Sequence, residues 1–218
     1  MAELRTEEEQ VQAIKAWWKK NGFSLVAGIA IAVAIIFGWK AWQKHEANTA
    51  EAASVTYENL LEASANLLNK PVMDDSLFAT AKAHNITLKE EFGDSAYAFL
   101  GALVQARLYV QKGELDAALT ELDWIINKAP DTEFGIIAKT RKARVLLGKG
   151  EKDQALTLVS GLKSAAYQAS IDELKGDIYM SLGDRDNARS AYQSAAQASE
   201  VSGARPFLTM KLNDLTKE

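Results

Sequence analysis

Hydrophobic and polar positions divide the chain into two stretches with different logic. From Asn21 to Trp39 the sequence NGFSLVAGIAIAVAIIFGW carries no charged side chain. As a helix it would run roughly 28 Å at about 1.5 Å per residue, close to the hydrocarbon thickness of a bilayer. Trp17 and Trp18 precede the run, and Trp39 and Trp42 close it. Indole rings favour the headgroup region, so the two pairs read as aromatic belts. A helix buried in a soluble core would also be apolar. It would not put tryptophans at both ends of one charge-free run in an otherwise polar chain. A cleaved signal peptide would start with a short basic region and end in small residues. Here the lead-in carries Glu3, Glu7, Glu8 and Glu9, and the run ends Trp39-Lys40-Ala41-Trp42. The pattern predicts a retained signal anchor: a leader over 1–20, a transmembrane helix over 21–42 and a separate domain over 43–218.

Two smaller patterns sit on this first stretch. Val11, Ile14, Trp17 and Trp18 share a helical face, suited to lying along a lipid surface. Ala30, Ala34 and Gly38 fall at i, i+4 and i+8, a spacing that lets a second membrane helix approach closely. Small residues are also common in any membrane helix, so this face is only a candidate packing surface. Arg5, Lys15, Lys19 and Lys20 precede the span, whereas only Lys40 and Lys44 follow within twenty residues. That bias predicts a cytoplasmic N-terminus and a C-terminal domain outside, in the periplasm if the cell is bacterial.

Beyond residue 43 the apolar positions follow helical periods in a repeating phrase. Gly113-Glu114-Leu115-Asp116-Ala117-Ala118, Gly150-Glu151-Lys152-Asp153-Gln154-Ala155 and Gly183-Asp184-Arg185-Asp186-Asn187-Ala188 all read G-[DE]-x-D-x-A, starting 37 and 33 residues apart. Twelve residues before each last Ala stands a small residue (Ala106, Ala143, Gly176), and three further on a large one (Tyr109, Leu146, Tyr179). Four after that Ala comes an apolar one (Leu122, Val159, Tyr192). The small residue allows two antiparallel helices to touch. Glycine ends the first helix in the left-handed conformation it alone adopts cheaply. The following Asp caps or charge-stabilises the second helix. A unit of about 34 residues made of two such helices is a tetratricopeptide repeat. The predicted fold is therefore all-α: one N-terminal transmembrane helix followed by a tetratricopeptide-like solenoid of helical hairpins.

The flanks read as partial units. Residues 47–69 suit a long helix after the span, broken by Pro71 and Asp74-Asp75, and 76–84 suit a short one. After Pro206, FLTMKLNDL places Phe207, Met210, Leu212 and Leu215 as the apolar face of a capping helix, which a solenoid end requires.

Composition adds exclusions. There is no cysteine, which removes disulfides, thiolate metal sites and a Cys nucleophile, and which suits an oxidising compartment. With 25 Lys+Arg against 29 Asp+Glu the net charge is −4, against nucleic acid as a partner. The leader is neutral overall, so the acidity belongs to the repeat domain, and the mean hydropathy of −0.16 averages two unlike stretches. His45 and His84 stand alone, without metal-ligand spacing. Gly148-Lys149-Gly150 is only a fragment of a phosphate loop, and Glu90-Glu91 and Asp74-Asp75 read as solvated turns. No cofactor, metal or catalytic residue is expected. What hairpin arrays do is bind, with the first helix of each unit lining the concave side. The outward positions there are Arg107, Arg144 and Asp177, and three residues on, Val110, Leu147 and Met180. Arginine offers a planar fork for carboxylates on an apolar stem. Arginine is also simply a good helix former on a wet face.

The order of features resembles a known family. E-x-x-Q-V-x-A-I-K-x-W-W (Glu7 to Trp18), N-G before a short span ending G-W-x-x-W (Gly38 to Trp42), a repeat array and M-K-L-N-D-L (Met210 to Leu215) resemble the YfgM family of gammaproteobacterial inner-membrane proteins. That resemblance implies a single-pass type II ancillary subunit of the SecYEG translocon. It implies periplasmic repeats that hand exported, still unfolded chains towards a PpiD-like chaperone. The residues alone leave other readings open: a scaffold of another envelope complex, or a membrane-bound regulator of envelope stress signalling.

Overall fold

The structure is a computed structural model that describes residues 7–68, 74–202 and 206–216. Among the described residues every regular element is an α-helix: α1 (Glu7–Leu68), α2 (Asp75–Glu91), α3 (Ala96–Lys112), α4 (Leu115–Lys128), α5 (Glu133–Lys149), α6 (Lys152–Ser160), α7 (Gln168–Leu182), α8 (Arg185–Ser202) and α9 (Pro206–Thr216). The chain forms two units, divided between Ala52 and Ala53.

The first unit is helix throughout its described part, and its apolar side chains face outward. Phe23 is 89% exposed, and Ile29, Ile35, Phe37, Trp17, Trp18, Trp39 and Trp42 are exposed as well. α1 is long and apolar enough to cross a membrane. A helix apolar on all sides and unburied in protein matches lipid as its solvent.

The second unit is a stack of hairpins. Ala53, Leu60, Ala63 and Leu67 of α1 join Phe78, Ala81 and Leu88 of α2 and Ala98, Leu108 and Tyr109 of α3 in one core. α3–α4, α5–α6 and α7–α8 are the three predicted hairpins, and α9 packs on α8. Each first helix ends on glycine with positive φ: 81° at Gly113, 85° at Gly150 and 82° at Gly183. The amide of the residue after each glycine donates back to a carbonyl five residues earlier: Glu114 to Tyr109, Glu151 to Leu146 and Asp184 to Tyr179, each at 2.9 Å. This is one glycine cap used three times, and it satisfies carbonyls the helix end would strand. Asp116, Asp153 and Asp186 lie in the first turns of α4, α6 and α8. They act through charge against the helix dipole. The side-chain cap of α8 comes from Asp184, which accepts from the Asn187 amide at 3.1 Å.

The repeat positions pack as the sequence predicts. Ala106, Ala143, Ala118, Ala155 and Ala188 are buried, as are Leu122, Val159 and Tyr192. Small and large partners vary together, as Ala106 with Leu122, Ala143 with Val159 and Gly176 with Tyr192.

Three local expectations are corrected. α2 runs to Glu91, past residue 84, because Asn85 and Leu88 continue its buried face and the Asn85 amide reaches Glu121 Oε2 at 3.1 Å. His84 and Glu90-Glu91 are therefore helical, and Asp74 is the N-cap of α2, accepting from the amides of Ser76 and Leu77. On α9 the buried residues are Leu208 and Leu215, with Leu212 packed beside them, whereas Phe207 and Met210 are 72% and 60% exposed. Pro71 lies outside the described residues.

The α9 cap is tied by charge. Lys211 donates to Asp177 at 2.6 Å and Glu173 at 2.9 Å, and the Tyr192 hydroxyl donates to Asp177 at 2.8 Å. Arg189 donates to the Leu215 carbonyl. Burial pulls the Lys211 ammonium down, but its bonds to Asp177 and Glu173 outweigh that and leave its pKa above the ordinary value. Burial, then the bond to Asp177, pushes the Tyr192 phenol up. Both groups hold their protons more tightly folded than unfolded, so their stabilisation is complete below about pH 10 and is lost as pH rises past the folded values. The melting temperature should therefore fall above about pH 10. Lys211→Met should flatten that fall, and an equally steep fall in the variant would dissociate the cap from these groups.

Candidate binding groove

A groove of about 330 Å³ opens between α3 and α5, with α4 beneath it. Arg107 and Val110 project from α3, and Arg141 and Arg144 from α5. Leu103, Leu115 and Leu122 form an apolar floor. The repeat places α3 and α5 side by side because both are first helices of adjacent hairpins, and α4 closes the space behind them. Arg107, Val110 and Arg144, predicted from the repeat, are thus brought together. A second hollow of about 220 Å³ adjoins the first across Arg141 and Arg144, lined also by Ile137, Thr140, Tyr167 and Ser170.

The other predicted positions go elsewhere. Leu147 packs against the core of α5, α6 and α7 with Leu146, Leu174 and Ile178. Asp177 is held by Tyr192 and Lys211. Met180 is exposed on α7 but does not line the groove. Ala30, Ala34 and Gly38 are exposed on the first unit, and a Cβ on Gly38 would meet nothing within 4 Å.

The repeat pattern does not point to Arg141. Its repeat equivalents are the apolar Val104 and Leu174. A charge at a core-type position was the signal that could have exposed it. Its Nη1 donates to the Leu103 carbonyl at 3.3 Å. Burial, and then repulsion from Arg144 and Arg107, lower its pKa below the usual guanidinium range. Among the described residues none of these three arginines has a carboxylate within ion-pair distance. Elsewhere on the array lysines are paired across helices, as Lys89 with Glu121, Lys142 with Asp123 and Lys149 with Asp116. Among the described residues no group of three or more His, Asp or Glu is placed to hold a metal.

Hairpins stacked through glycine-capped turns, with an open groove on the first helices, define a tetratricopeptide-like helical array. The tetratricopeptide repeat-like domain family model matches residues 15–217. A tetratricopeptide repeat protein from Parabacteroides merdae has the same fold, at 15% identity and a TM-score of 0.52, over 74% of this chain and 60% of that one. Relatives over the full length are more specific. The ancillary SecYEG translocon subunit of Escherichia coli K12 is 29% identical over 212 residues, covering 96% of this chain and 97% of its own. That of Aggregatibacter actinomycetemcomitans is 30% identical over 217 residues, covering 99% and 100%. That of Neisseria gonorrhoeae is 24% identical over 216 residues, again covering 99% and 100%. This chain belongs to the tetratricopeptide repeat-like family of ancillary SecYEG translocon subunits.

Proposed function

We propose that the chain is a membrane-anchored, non-enzymatic adaptor of the SecYEG translocon. Residues 21–42 cross the inner membrane, residues 1–20 stay in the cytoplasm, and the repeats in 43–218 work in the periplasm. There they link exported chains to a PpiD-like chaperone. The observation that carries this reading is a lipid-suited helix and an open binding groove on one chain, together with relatives of the same length named as translocon subunits. The anchor gives the groove a high effective concentration beside the channel. The span can meet channel helices through Ala30, Ala34 and Gly38. Copurification in mild detergent tests the assignment. Channel subunits and a periplasmic chaperone should be recovered together, and recovery of neither contradicts it.

Orientation has its own test, simplified by the natural absence of cysteine. Ser190→Cys should be labelled by a membrane-impermeant maleimide in cells with a permeabilised outer membrane, and Ala13→Cys only after lysis. The reverse pattern would invert the proposed topology.

A further inference from the structure

We propose that the groove between α3 and α5 docks an extended peptide segment in which an aliphatic residue is flanked by Asp or Glu side chains. The aliphatic side chain sits over Leu103 and Leu122, and the carboxylates pair with Arg107, Arg141 and Arg144. This rests on the reading of the groove as the partner-holding face and gives that partner a chemistry.

The repeat domain is acidic overall, yet its groove gathers three guanidinium groups that receive no carboxylate from the described part of the chain. Like charges drawn together repel, and the lysines of the array show the usual solution, an acidic partner from a neighbouring helix. At the groove that partner is missing from the chain, so an external carboxylate would supply it. Guanidinium groups bind carboxylates through paired hydrogen bonds, strengthened where water is partly excluded.

About 330 Å³ lies at the lower end for ligand pockets and takes one or two side chains. The adjoining hollow continues the path beyond Arg141 and Arg144, past the hydroxyl-bearing Thr140 and Tyr167. A chain engaging the arginines therefore runs on past them. The carboxylates belong to side chains within the segment, not to a chain terminus.

The test uses the full chain in zwitterionic nanodiscs and fluorescein-labelled peptides read by anisotropy. The acidic–aliphatic peptide GDLELDG should bind at least about tenfold more tightly than its amide counterpart GNLQLNG, and basic GKLKLKG should not bind. Removing the aliphatic residues, as in GDGEGDG, should also weaken binding. Affinity should fall as salt rises. Arg107→Glu with Arg144→Glu should lose about tenfold or more, whereas Arg107→Lys with Arg144→Lys, which keeps the charge but not the planar fork, should lose less than the charge reversal. If the charge-reversed protein melts abnormally, the single Arg144→Gln replaces it and should still weaken binding. Equal affinity for the acidic and amide peptides, or no response to a folded arginine variant, overturns the proposal. So does arginine-dependent binding to phosphatidylglycerol vesicles with no arginine-dependent peptide binding. Failure here with channel copurification intact overturns the peptide chemistry alone. Peptide selectivity without channel copurification overturns the translocon reading alone.

Discussion

Gly176→Ala is expected to destabilise the repeat domain by about 2 kcal/mol, lowering its melting temperature by roughly 4–8 °C, whereas Gly148→Ala should be neutral or slightly stabilising. Alanine is worth about 1 kcal/mol more than glycine inside a helix, so at an open site the change helps. Gly148 is such a site, since its Cβ would meet nothing within 4 Å. At Gly176 a Cβ would lie 2.3 Å from two ring carbons of Tyr192. Ordinary carbon contacts sit near 3.5–4.0 Å, so something must move. The ring is buried at 3% exposure and pinned by its hydroxyl to Asp177, so it cannot swing aside cheaply. The overpacking cost therefore exceeds the propensity gain.

The pairing across repeats supplies a sharper form of this result. Ala106 faces Leu122 and Ala143 faces Val159 within the first two hairpins' cores. Gly176→Ala combined with Tyr192→Leu recreates the first pair. The double variant should be more stable than the sum of the two single effects, a coupling of contacting residues. Strict additivity would mean that the glycine is not there for the ring.

The second large effect concerns the anchor. A protein lacking 1–42, exported by a cleavable leader, should leave the membrane fraction and copurify with the channel roughly a hundredfold less, as the proposed function requires if tethering adds to groove affinity at the channel. Its melting curve should match that of the intact chain, since the second unit holds its own core. Undiminished copurification would show that the repeats find the channel without the span.

Much of this was legible in the sequence. Glycine turns, small contact residues and the charge-free run are local signals, and each fixes its own backbone or solvent. Arg107, Val110 and Arg144 were placed together because the repeat carries equivalent positions to equivalent faces. That equivalence breaks where the units stop being equivalent. α6 is short, Lys152–Ser160, and Leu147 is taken into the core that α5 shares with α6 and α7. Asp177 is claimed by Lys211 of α9, an end-of-array contact that no repeat period encodes. Arg141 was hidden by alignment to apolar positions. On α9, Leu208 rather than Phe207 faces inward: five apolar residues in eleven allow more than one face, and packing against α8 takes the one that holds Leu208, Leu212 and Leu215.

In the proposed function an anchored groove works at the translocon. Its most direct measurement is site-specific photocrosslinking in native membranes, with the reactive side chain placed at Val110 in the groove and at Ala34 in the span. Channel adducts are expected from Ala34 and adducts of a chaperone or an exported chain from Val110, the latter weakened by Arg107→Glu with Arg144→Glu. Adducts with neither the channel nor a periplasmic partner, from a protein correctly inserted and folded, would contradict it.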